Sequence, residues 1–470
     1  MKHKSDIIIG LEVHVELNTK TKLFCSCPTK GSEEPNTRTC EICLGMPGSK
    51  PVLNKKAIEF ALKLCLALNC NVSKELIFSR KSYFYPDLAK NYQITQYEMP
   101  LGKDGKLMLS DGKAVGITRI HLEEDPASLV HPSGLKDSSY VLIDYNRSGN
   151  PLVEIVTNPE MYSADEARDF MKQLLSILEY LEVFDINHCI IKADANISIK
   201  ESDYTKVEVK NITGFKEIES ALSYEIERQK LGVTKSRIVQ ETRGWDSVAK
   251  ITYPLRAKES AEDYGYIIDT DLVPIEITKQ LLSEVNATLP EFAQDKARRF
   301  VQEYKIAKDD AEIISSDKSI AELFEKCTKR IYPILSSKWV RRELIRVLNY
   351  HKKSLREINL EPNNFIDLLE LIQNKEITEK IGQRLIERLA EGQFDVKEYV
   401  KKHGLSMISE EVELEKFCES SIKENQKAIE DYKNGNEKAL NFVIGAVMKK
   451  SKGKAKPDTV KDIILRLVGK

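Results

Sequence analysis

The segment IIIGLEVHVEL, residues Ile7–Leu17, decides the fold of the first half of the chain. From position 11 onwards apolar and polar residues alternate strictly, as in a β-strand whose successive side chains point to opposite faces. One face would pack on a core, and the other would present Glu12, His14 and Glu16. Two interpretations fit this polar face. It is either the solvated side of an antiparallel strand, or a set of carboxylate and imidazole ligands for a divalent cation.

The composition is that of a globular protein without an overall charge bias. The 470 residues are 41% hydrophobic and 31% charged, with 72 Lys and Arg against 73 Asp and Glu. We therefore expect two to four domains, and a local basic patch for any nucleic-acid partner. No apolar run approaches the ~20 residues that span a bilayer, and no signal peptide is recognisable. We expect a cytoplasmic protein without membrane contact, whose nine cysteines do not form a disulfide framework.

Before Pro290, short apolar or alternating runs separated by Gly, Pro and Asn predict the strands of a large sheet. These runs are Ile7–Leu17, Ile117–Leu122, Val141–Ile143, Leu152–Val156, Ile190–Ile199 and Val207–Ile212. Apolar residues at helical spacing predict one helix over 54–69 and another over 163–182. The second helix begins with the capping-box pair Ser163 and Glu166.

The fold class that follows is α+β, in three domains. A mostly antiparallel sheet occupies the first domain, over residues 1–291. Long charged helices with few Gly or Pro then predict an all-α domain over 292–404, with a helix stop at His403-Gly404. A helical tail domain covers 405–470 and ends in an amphipathic helix.

Two closely spaced cysteine pairs form the strongest local motif. They are Cys25 with Cys27, and Cys40 with Cys43. Two such pairs separated by a loop of a dozen residues predict a tetrahedral Zn²⁺ site with a structural role. The remaining cysteines are scattered and are predicted to be small buried hydrophobic residues. They are Cys65, Cys70, Cys189, Cys327 and Cys418.

Three adjacent acids, Glu123, Glu124 and Asp125, follow His121 in the segment IHLEED. Such neighbours repel one another unless a cation or solvent separates them. Glu154 in PLVEIV is flanked by apolar residues, and a carboxylate there is costly to bury without a partner. A solvated turn and an edge-strand carboxylate are equally good interpretations of these two segments.

Two further segments could bind a ligand, and the first of them suits a nucleotide or the end of an RNA. The segment from Arg80 to Pro86, RKSYFYP, joins two cations to three aromatic rings. Cations bind phosphate and rings stack on bases, although a hairpin rim can have the same composition. Lys192, Asp194 and Asn196 share one strand face, which is typical of a ligand cleft or of a solvated surface. No GxxxxGK[ST] or GxSxG motif occurs, so any ATP would need another kind of site.

A lysine-rich loop precedes the last predicted helix. Its lysines are Lys449, Lys450, Lys452, Lys454 and Lys456. Counterion release makes such a patch attractive to phosphates without sequence specificity. A solvated loop is the equally good alternative.

These segments, in this order, resemble the B subunits of GatCAB glutamyl-tRNA(Gln)/aspartyl-tRNA(Asn) amidotransferases over essentially the whole chain. The resembling segments are GLEVHVEL (10–17), PNT (35–37), NKKAI (54–58), RKSYFYPDLAKNYQITQYEMPLG (80–102), GITRIHLEEDPA (116–127), DYNRSGNPLVEIVTNPE (144–160), ADANISI (193–199), VEVKNITGFKEIESAL (207–222) and QETRGWD (240–246). The last module resembles the YqeY-like tail of the family in DYKNGNEKALNFVIGAVMKKSKGKAKPDTV (431–460).

The resemblance implies a C–N ligase that uses ATP and Mg²⁺. Its first domain, the family's cradle, would phosphorylate the side-chain carboxylate of Glu or Asp misacylated on tRNA, and ammonia would then displace the phosphate. An amidase-type A subunit would release the ammonia from glutamine and pass it along a channel. A small C subunit would complete the heterotrimer, and the helical and YqeY-like domains would hold the tRNA.

The resemblance also implies site residues. The catalytic and magnesium-binding set is Glu12, His14, Glu123, Glu124 and Glu154. The nucleotide would contact Arg80, Lys81, Tyr83, Arg119, Lys192, Asp194 and Asn196. Glu16 gains no role as a ligand, and we expect it at the solvated end of its strand.

The chain departs from the family pattern in three places. Lys192-Ala193 precedes DANIS where the family usually has Arg-Cys. Residues 264–271 read YGYIIDTD instead of YRYFPEPD, so an arginine and two prolines are missing while Asp271 is retained. Ala89 replaces a proline, which alters loop stiffness.

Two other functions remain possible from the sequence. The first is a zinc-stabilised RNA-binding protein without catalysis. The five candidate metal ligands argue against it, because a protein that only binds RNA does not need them. The second is an independent two-metal hydrolase or nuclease, which would turn over without a partner.

Overall fold

The computed structural model describes residues 5–132, 138–233, 238–255, 264–406, 411–433, 435–451 and 454–469. The chain forms two compact units, Met1–Pro290 and Glu291–Lys470. The first unit contains a large sheet with covering helices, and the second is helical. The predicted α+β fold class is therefore confirmed.

The described strands lie in the first unit. They are β1 (Ile7–Glu16), β2 (Asn71–Val72), β3 (Glu75–Leu76), β4 (Ser79–Ser82), β5 (Tyr92–Thr95), β6 (Gly102–Met108), β7 (Ala114–Glu124), β8 (Ser128–Val130), β9 (Leu142–Asp144), β10 (Pro151–Thr157), β11 (Ile191–Ile199), β12 (Val207–Thr213), β13 (Glu241–Asp246), β14 (Ile251–Pro254), β15 (Gly265–Ile268) and β16 (Ile275–Glu276).

Nine of these strands form one sheet in the order β14-β13-β12-β11-β1-β10-β7-β6-β2. All of its neighbouring strands are antiparallel except β12 and β13. The first strand, β1, lies in the middle of the sheet, because β10 pairs with one of its edges and β11 with the other. Smaller sheets join β15-β4-β5, β16-β3 and β8-β9.

Helices cover the apolar face of the large sheet. They are α1 (Lys55–Ala67), α2 (Ala164–Leu181) and α3 (Phe215–Val233), while α4 (Lys279–Asn286) packs on α1 and a 3₁₀ turn lies at Lys200–Ser202. The apolar residues Leu11, Val13 and Val15 of β1 are at most 1% exposed, so the alternation seen in the sequence does separate a core face from a polar face.

Local capping explains where the two predicted helices begin. Asn54 precedes α1 and accepts hydrogen bonds from the backbone N–H groups of Lys56 and Ala57. Ser163 precedes α2 and accepts from the N–H of Glu166 at 3.1 Å. In a capping box, the Glu166 carboxylate would accept a hydrogen bond from the backbone N–H of Ser163. Here it accepts from the N–H of Tyr162 instead, at 2.7 Å.

The second unit consists of helices joined by short loops. They are α5 (Ala293–Tyr304), α6 (Lys308–Ser315), α7 (Lys318–Thr328), α8 (Pro333–Lys338), α9 (Ile345–His351), α10 (Pro362–Gln373), α11 (Glu379–Glu391), α12 (Val396–Lys402), α13 (Glu411–Glu424), α14 (Gln426–Lys433), α15 (Glu437–Lys450) and α16 (Pro457–Val468), with a π-helical segment at Trp339–Leu344.

Two separate hydrophobic cores lie within this unit. One extends from Ala297 to Val400 and the other from Leu414 to Ile464. Between them, α12 ends before His403, and Gly404 has a φ of +54°, a conformation that glycine adopts readily. The division into domains at 291 and 404 stays a prediction. Among the described residues, no helix combines the length and apolarity needed to cross a membrane.

Candidate active site and metal centres

The strand register places His14, Glu154 and His121 in one row across the middle of the sheet. His14 on β1 is opposite Glu154 on β10, and Glu154 is in turn opposite His121 on β7. Directly paired residues of antiparallel strands point to the same face. The row therefore lies on the polar face that the alternation of β1 predicts.

A fourth side chain, Glu123, completes a compact cluster with this row. The Nε2 atom of His14 is 3.6 Å from both Glu123 Oε1 and Glu154 Oε2. The Nε2 atom of His121 is 3.3 Å from Glu154 Oε2 and 3.6 Å from Glu123 Oε2. We call His14, His121, Glu123 and Glu154 the carboxylate–histidine cluster. Each imidazole attracts both carboxylates, whereas the two carboxylates repel one another.

The donor atoms of His14, Glu123 and Glu154 fit a divalent cation. One ligand atom from each residue lies within 4.8 Å of the others. Mg²⁺ is commonly held by one or two carboxylates together with water and substrate phosphates, and imidazole suits Zn²⁺ and other transition-metal ions. Within the described part of the chain, the buried Nδ1 of His121 has no hydrogen-bond partner. The cluster therefore contains both a ligand set and an unsatisfied polar group.

The electrostatics of the cluster favour charged side chains. Burial alone would lower the pKa of His14 and His121, but the hydrogen bonds and charges of Glu154 and Glu123 outweigh it and raise each pKa to about 9. Burial opposes ionisation of the two carboxyl groups, yet the imidazoles hold both pKa values below the usual range. The imidazoles thus hold protons in this state, and a cation bound by His14 would have to displace one.

Two of the five predicted ligands lie outside the three-residue set. Glu12 is two residues from His14 on the same face, and it accepts a hydrogen bond from Asn196 at 3.0 Å. Glu124 accepts from Lys90 at 2.6 and 2.7 Å and from the N–H of Ile94 at 2.8 Å. Glu123 and Glu124 are consecutive in a strand, so their side chains diverge.

Glu16 was predicted to be solvated, and this prediction is wrong. Glu16 is only 7% exposed. Its carboxylate accepts hydrogen bonds from Asn150 Nδ2 at 2.6 Å and from the N–H of Ile190 at 3.1 Å. The segments that precede β10 and β11 close over the end of β1, and the alternation of a single strand does not reveal such coverage.

The predicted nucleotide contacts divide into several environments. Arg80 forms ion pairs with Asp269 at 2.8 Å and Asp271 at 3.0 Å. Arg119 reaches Glu154 at 3.5 Å, so it adjoins the carboxylate–histidine cluster. Lys81 lies 4.7 Å from the ring centre of Tyr264 and farther from that of Tyr83. Of these three cations, Arg119 is therefore the one that contacts the cluster itself.

On the other side of β1, strand β11 extends the polar face. Lys192 is opposite His14, and Asp194 is opposite Glu12. Asp194 accepts from the N–H of Asn211 at 3.0 Å and forms an ion pair with Lys210 at 3.4 Å.

Sequence reasoning missed two residues of this extended face, Lys210 and the buried Glu208. The Nζ atom of Lys210 is 3.6 Å from Glu208 Oε1. The alternation VEVKN at 207–211 was the signal that could have found them.

The four predicted zinc ligands come together. One Sγ atom from each of Cys25, Cys27, Cys40 and Cys43 lies within 4.8 Å of the others, an arrangement that can hold a tetrahedral metal ion. A hydrogen bond from Cys25 is the main reason why the pKa of Cys43 falls to about 5, and the charge of Lys22 contributes. The five other cysteines are buried, as predicted.

Lys22, which the sequence did not single out, is fully buried beside the cysteines. Its Nζ donates to Cys43 Sγ at 3.7 Å and to the carbonyl oxygen of Tyr145 at 3.3 Å.

The lysine-rich loop is partly engaged within the chain. Lys450 forms an ion pair with Glu424 at 2.6 Å. Lys449 and Lys456 are exposed, Lys454 is half-buried, and Lys452 lies outside the described residues. A role in tRNA binding stays a prediction.

Comparison with known proteins identifies both parts of the chain. Residues 7–283 match a family model described as the GatB/GatE catalytic domain, and residues 322–468 match one described as the GatB domain. The B subunits of aspartyl/glutamyl-tRNA(Asn/Gln) amidotransferases are similar over nearly the full length. Those of Carboxydothermus hydrogenoformans and Thermotoga maritima are 42% identical, and that of Thermoanaerobacter pseudethanolicus is 43% identical. Each alignment covers 98% of this chain and 98% of the relative.

Proposed function

The chain belongs to the GatB family of tRNA-dependent amidotransferase subunits, and from this we propose that it converts Glu-tRNA(Gln), Asp-tRNA(Asn) or both into the amidated forms. The observation that best supports the proposal is the carboxylate–histidine cluster. It lies on the polar face of the central strands, within the segment that matches the catalytic-domain model. Such a cluster suits chemistry on phosphates and carboxylates, both of which are anionic and need a cation beside them.

The proposed reaction has two steps that share one site. A side-chain carboxylate oxygen of the misacylated residue attacks the γ-phosphorus of ATP, the bond to the bridging oxygen breaks, and ADP leaves. Ammonia then attacks the carbonyl carbon of the acyl phosphate, loses a proton, and inorganic phosphate leaves to give the amide. His14, Glu123 and Glu154 would hold Mg²⁺, which would neutralise charge on the transferring oxygens.

Basic side chains at the edge of the cluster would position the anionic substrates. Arg119 and Lys192 adjoin Glu154 and His14 respectively, so either cation can bind a phosphate or the substrate carboxylate. Glu12, Asp194 and Asn196 would orient the nucleotide farther along β1 and β11. Glu124 would fix the position of Lys90 instead of binding the cation.

Partners and a second metal complete the proposal. Ammonia would come from an amidase-type A subunit, and a small C subunit would join the two in a heterotrimer. The helical unit and its lysine-rich loop would bind the body of the tRNA in the cytoplasm, where translation takes place. The four cysteines would hold Zn²⁺ with a structural role, because all four positions of a tetrahedron would be filled by thiolates.

Co-expression with both partner subunits tests this function. The purified complex should convert Glu-tRNA(Gln) or Asp-tRNA(Asn) when given glutamine, ATP and Mg²⁺, and failure with both tRNAs in an intact complex would refute the proposal. A zinc-stabilised RNA-binding protein would bind tRNA but convert neither substrate. A free hydrolase would cleave RNA or phosphoesters without partners.

A pair of matched variants then connects the activity to the cluster. Glu154→Gln should abolish ATP-dependent conversion while the complex still hydrolyses glutamine. Glu33→Gln, which alters an exposed carboxylate in a loop, should behave like the unmodified complex. Equal activity of the two variants would exclude Glu154 from the reaction.

A further inference from the structure

Four tyrosines gather beside the three-stranded sheet β15-β4-β5. The rings of Tyr97 and Tyr266 are stacked, with centroids 3.8 Å apart and an interplanar angle of 15°. Tyr83 meets Tyr264 edge to face at 5.4 Å, and Tyr264 lies 6.5 Å from Tyr266. We call Tyr83, Tyr97, Tyr264 and Tyr266 the tyrosine platform. Its two pairs, Tyr83 with Tyr264 and Tyr97 with Tyr266, join residues 181 and 169 positions apart in the sequence, so no local motif produces it.

The tyrosine platform adjoins the carboxylate–histidine cluster. Thr95, at the end of β5, donates to Glu123 Oε2 at 3.4 Å. Its neighbour Gln96 accepts from the backbone N–H of Leu122 at 2.9 Å, which fixes this segment against β7. Tyr97 is the next residue. Burial is the main cause of a raised pKa of Tyr266, and the charge of Glu154 contributes, which places this phenol within electrostatic reach of the cluster.

The exposure of the rings indicates a ligand. Tyr97 is 56% exposed although its ring is already ordered by Tyr266, and the nearby Phe84 is 91% exposed. Aromatic faces that stay in water beside a polar site suit flat ligands, because a base can stack on them without a matching pattern of hydrogen bonds. Lys81 lies over the ring of Tyr264 at 4.7 Å and supplies a cation for an adjoining phosphate.

The shape of the surface favours a polymer end over a free nucleotide. Small-molecule sites are concave and enclose most of their ligand, whereas Tyr97 is 56% exposed and the rings form two separate pairs. Single-stranded RNA ends bind in such places by laying successive unstacked bases on aromatic side chains. A misacylated tRNA has an unpaired 3′ end, and its reacting amino acid is attached to the last nucleotide.

We propose that the tyrosine platform stacks the unpaired 3′-terminal bases of the tRNA and thereby holds the attached amino acid at the carboxylate–histidine cluster. This rests on the proposed function, since it assumes that a misacylated tRNA reacts there. Tyr97 and Tyr266 form the surface nearest the cluster, and Tyr83 and Tyr264 with Lys81 would receive the preceding nucleotide. The tyrosines bind the substrate and take no part in proton or phosphoryl transfer.

The test compares Tyr97→Ala with Tyr97→Phe in the purified complex with both partner subunits. Removing one stacking ring should raise the KM for misacylated tRNA about tenfold or more, whereas Tyr97→Phe should stay within twofold of the unmodified complex. The KM for ATP should not change in either variant. Tyr140→Ala removes a similarly exposed ring outside the tyrosine platform and should have no effect.

A binding measurement separates the two proposals. Uncharged tRNA and the same tRNA without its 3′-terminal adenosine are titrated into each complex. The unmodified complex should bind the shortened tRNA about tenfold more weakly, and Tyr97→Ala should bind both equally weakly. If the KM for ATP rises instead, the ring holds the nucleotide and the inference is wrong. Unchanged tRNA binding also overturns it. An unmodified complex that binds tRNA but never amidates it would refute the proposed function alone.

Discussion

Lys22→Met tests whether a buried cation sustains the cysteine cluster. Lys22 is 0% exposed, and its Nζ lies 3.7 Å from Cys43 Sγ. If the four thiolates bind Zn²⁺, the centre has a net charge of −2, whereas the metal-free cluster has one thiol with a strongly lowered pKa, that of Cys43. Binding therefore adds about one negative charge next to Lys22. The methionine side chain fills nearly the same volume without the positive charge.

The magnitude follows from Coulomb's law. Two unit charges 3.7 Å apart interact by about 4 kcal/mol at an effective dielectric constant of about 20. The charge that zinc binding adds is spread over four sulfur atoms, most of them farther from Nζ than Cys43 Sγ is. We therefore take about half of this interaction energy as the lower bound of the loss. A loss of about 2 to 4 kcal/mol corresponds to zinc affinity weakened roughly 30- to 1000-fold.

The assay is competition for zinc between the protein and a chromophoric chelator, with metal content measured by mass spectrometry. Lys22→Arg keeps the charge and should recover most of the affinity, while Lys22→Met should not. Circular dichroism of the zinc-loaded proteins shows whether each variant is folded. Zinc affinity of Lys22→Met within threefold of the unmodified protein would refute charge compensation, and equal losses in both variants would point to packing instead.

Three further changes test other parts of the structure. Glu16→Ala removes the acceptor of the buried Asn150 amide and of the partly buried N–H of Ile190, and should lower the free energy of unfolding by about 1–3 kcal/mol, measured by thermal unfolding. An unchanged transition would mean that water replaces the carboxylate. Ser163→Ala should lower the stability of α2 by about 1 kcal/mol, seen as faster hydrogen exchange in its first turn only. Glu325→Gln should speed exchange in α7 at neutral pH, because the hydrogen bonds of Lys296 and Arg299 outweigh burial and lower the pKa of Glu325. This stabilisation is present above the unfolded-state pKa and is lost as the pH falls through the lowered folded-state value, so the two proteins should converge once the pH lies below that value. A pH-independent difference would contradict this reasoning.

Much of the large sheet was predictable because its pattern is local. The alternation of β1 gave both its core face and its polar face, and the short runs around Glu123 and Glu154 gave the neighbouring strands. Side-chain direction has a period of two, so each strand indicates its polar residues independently. What the pattern could not give is the register that places His14, Glu154 and His121 in one row.

The features of the site that the sequence did not predict depend on contacts between distant segments. Glu124 is paired with Lys90, and Glu16 is covered by the segments before β10 and β11. The tyrosine platform needs β15 to pair with β4, although residues 264–271 depart from the family pattern. Loop packing and strand order decide these contacts, and neither has a local signature in one sequence.

The position of the carboxylate–histidine cluster argues that it serves a ligand and not stability. Its residues occupy central strands, where apolar side chains of similar volume would be at least as stable as buried charges. The opposite face of β1 does carry buried apolar side chains, those of Leu11 and Val13. Within the cluster, the side chain of His14 is 28% exposed, whereas those of His121 and Glu123 are at most 7% exposed. The exposed side of His14, next to Lys192, is therefore one place where we expect a substrate anion to meet the cluster, because an imidazole and an ammonium group lie there in front of the carboxylates.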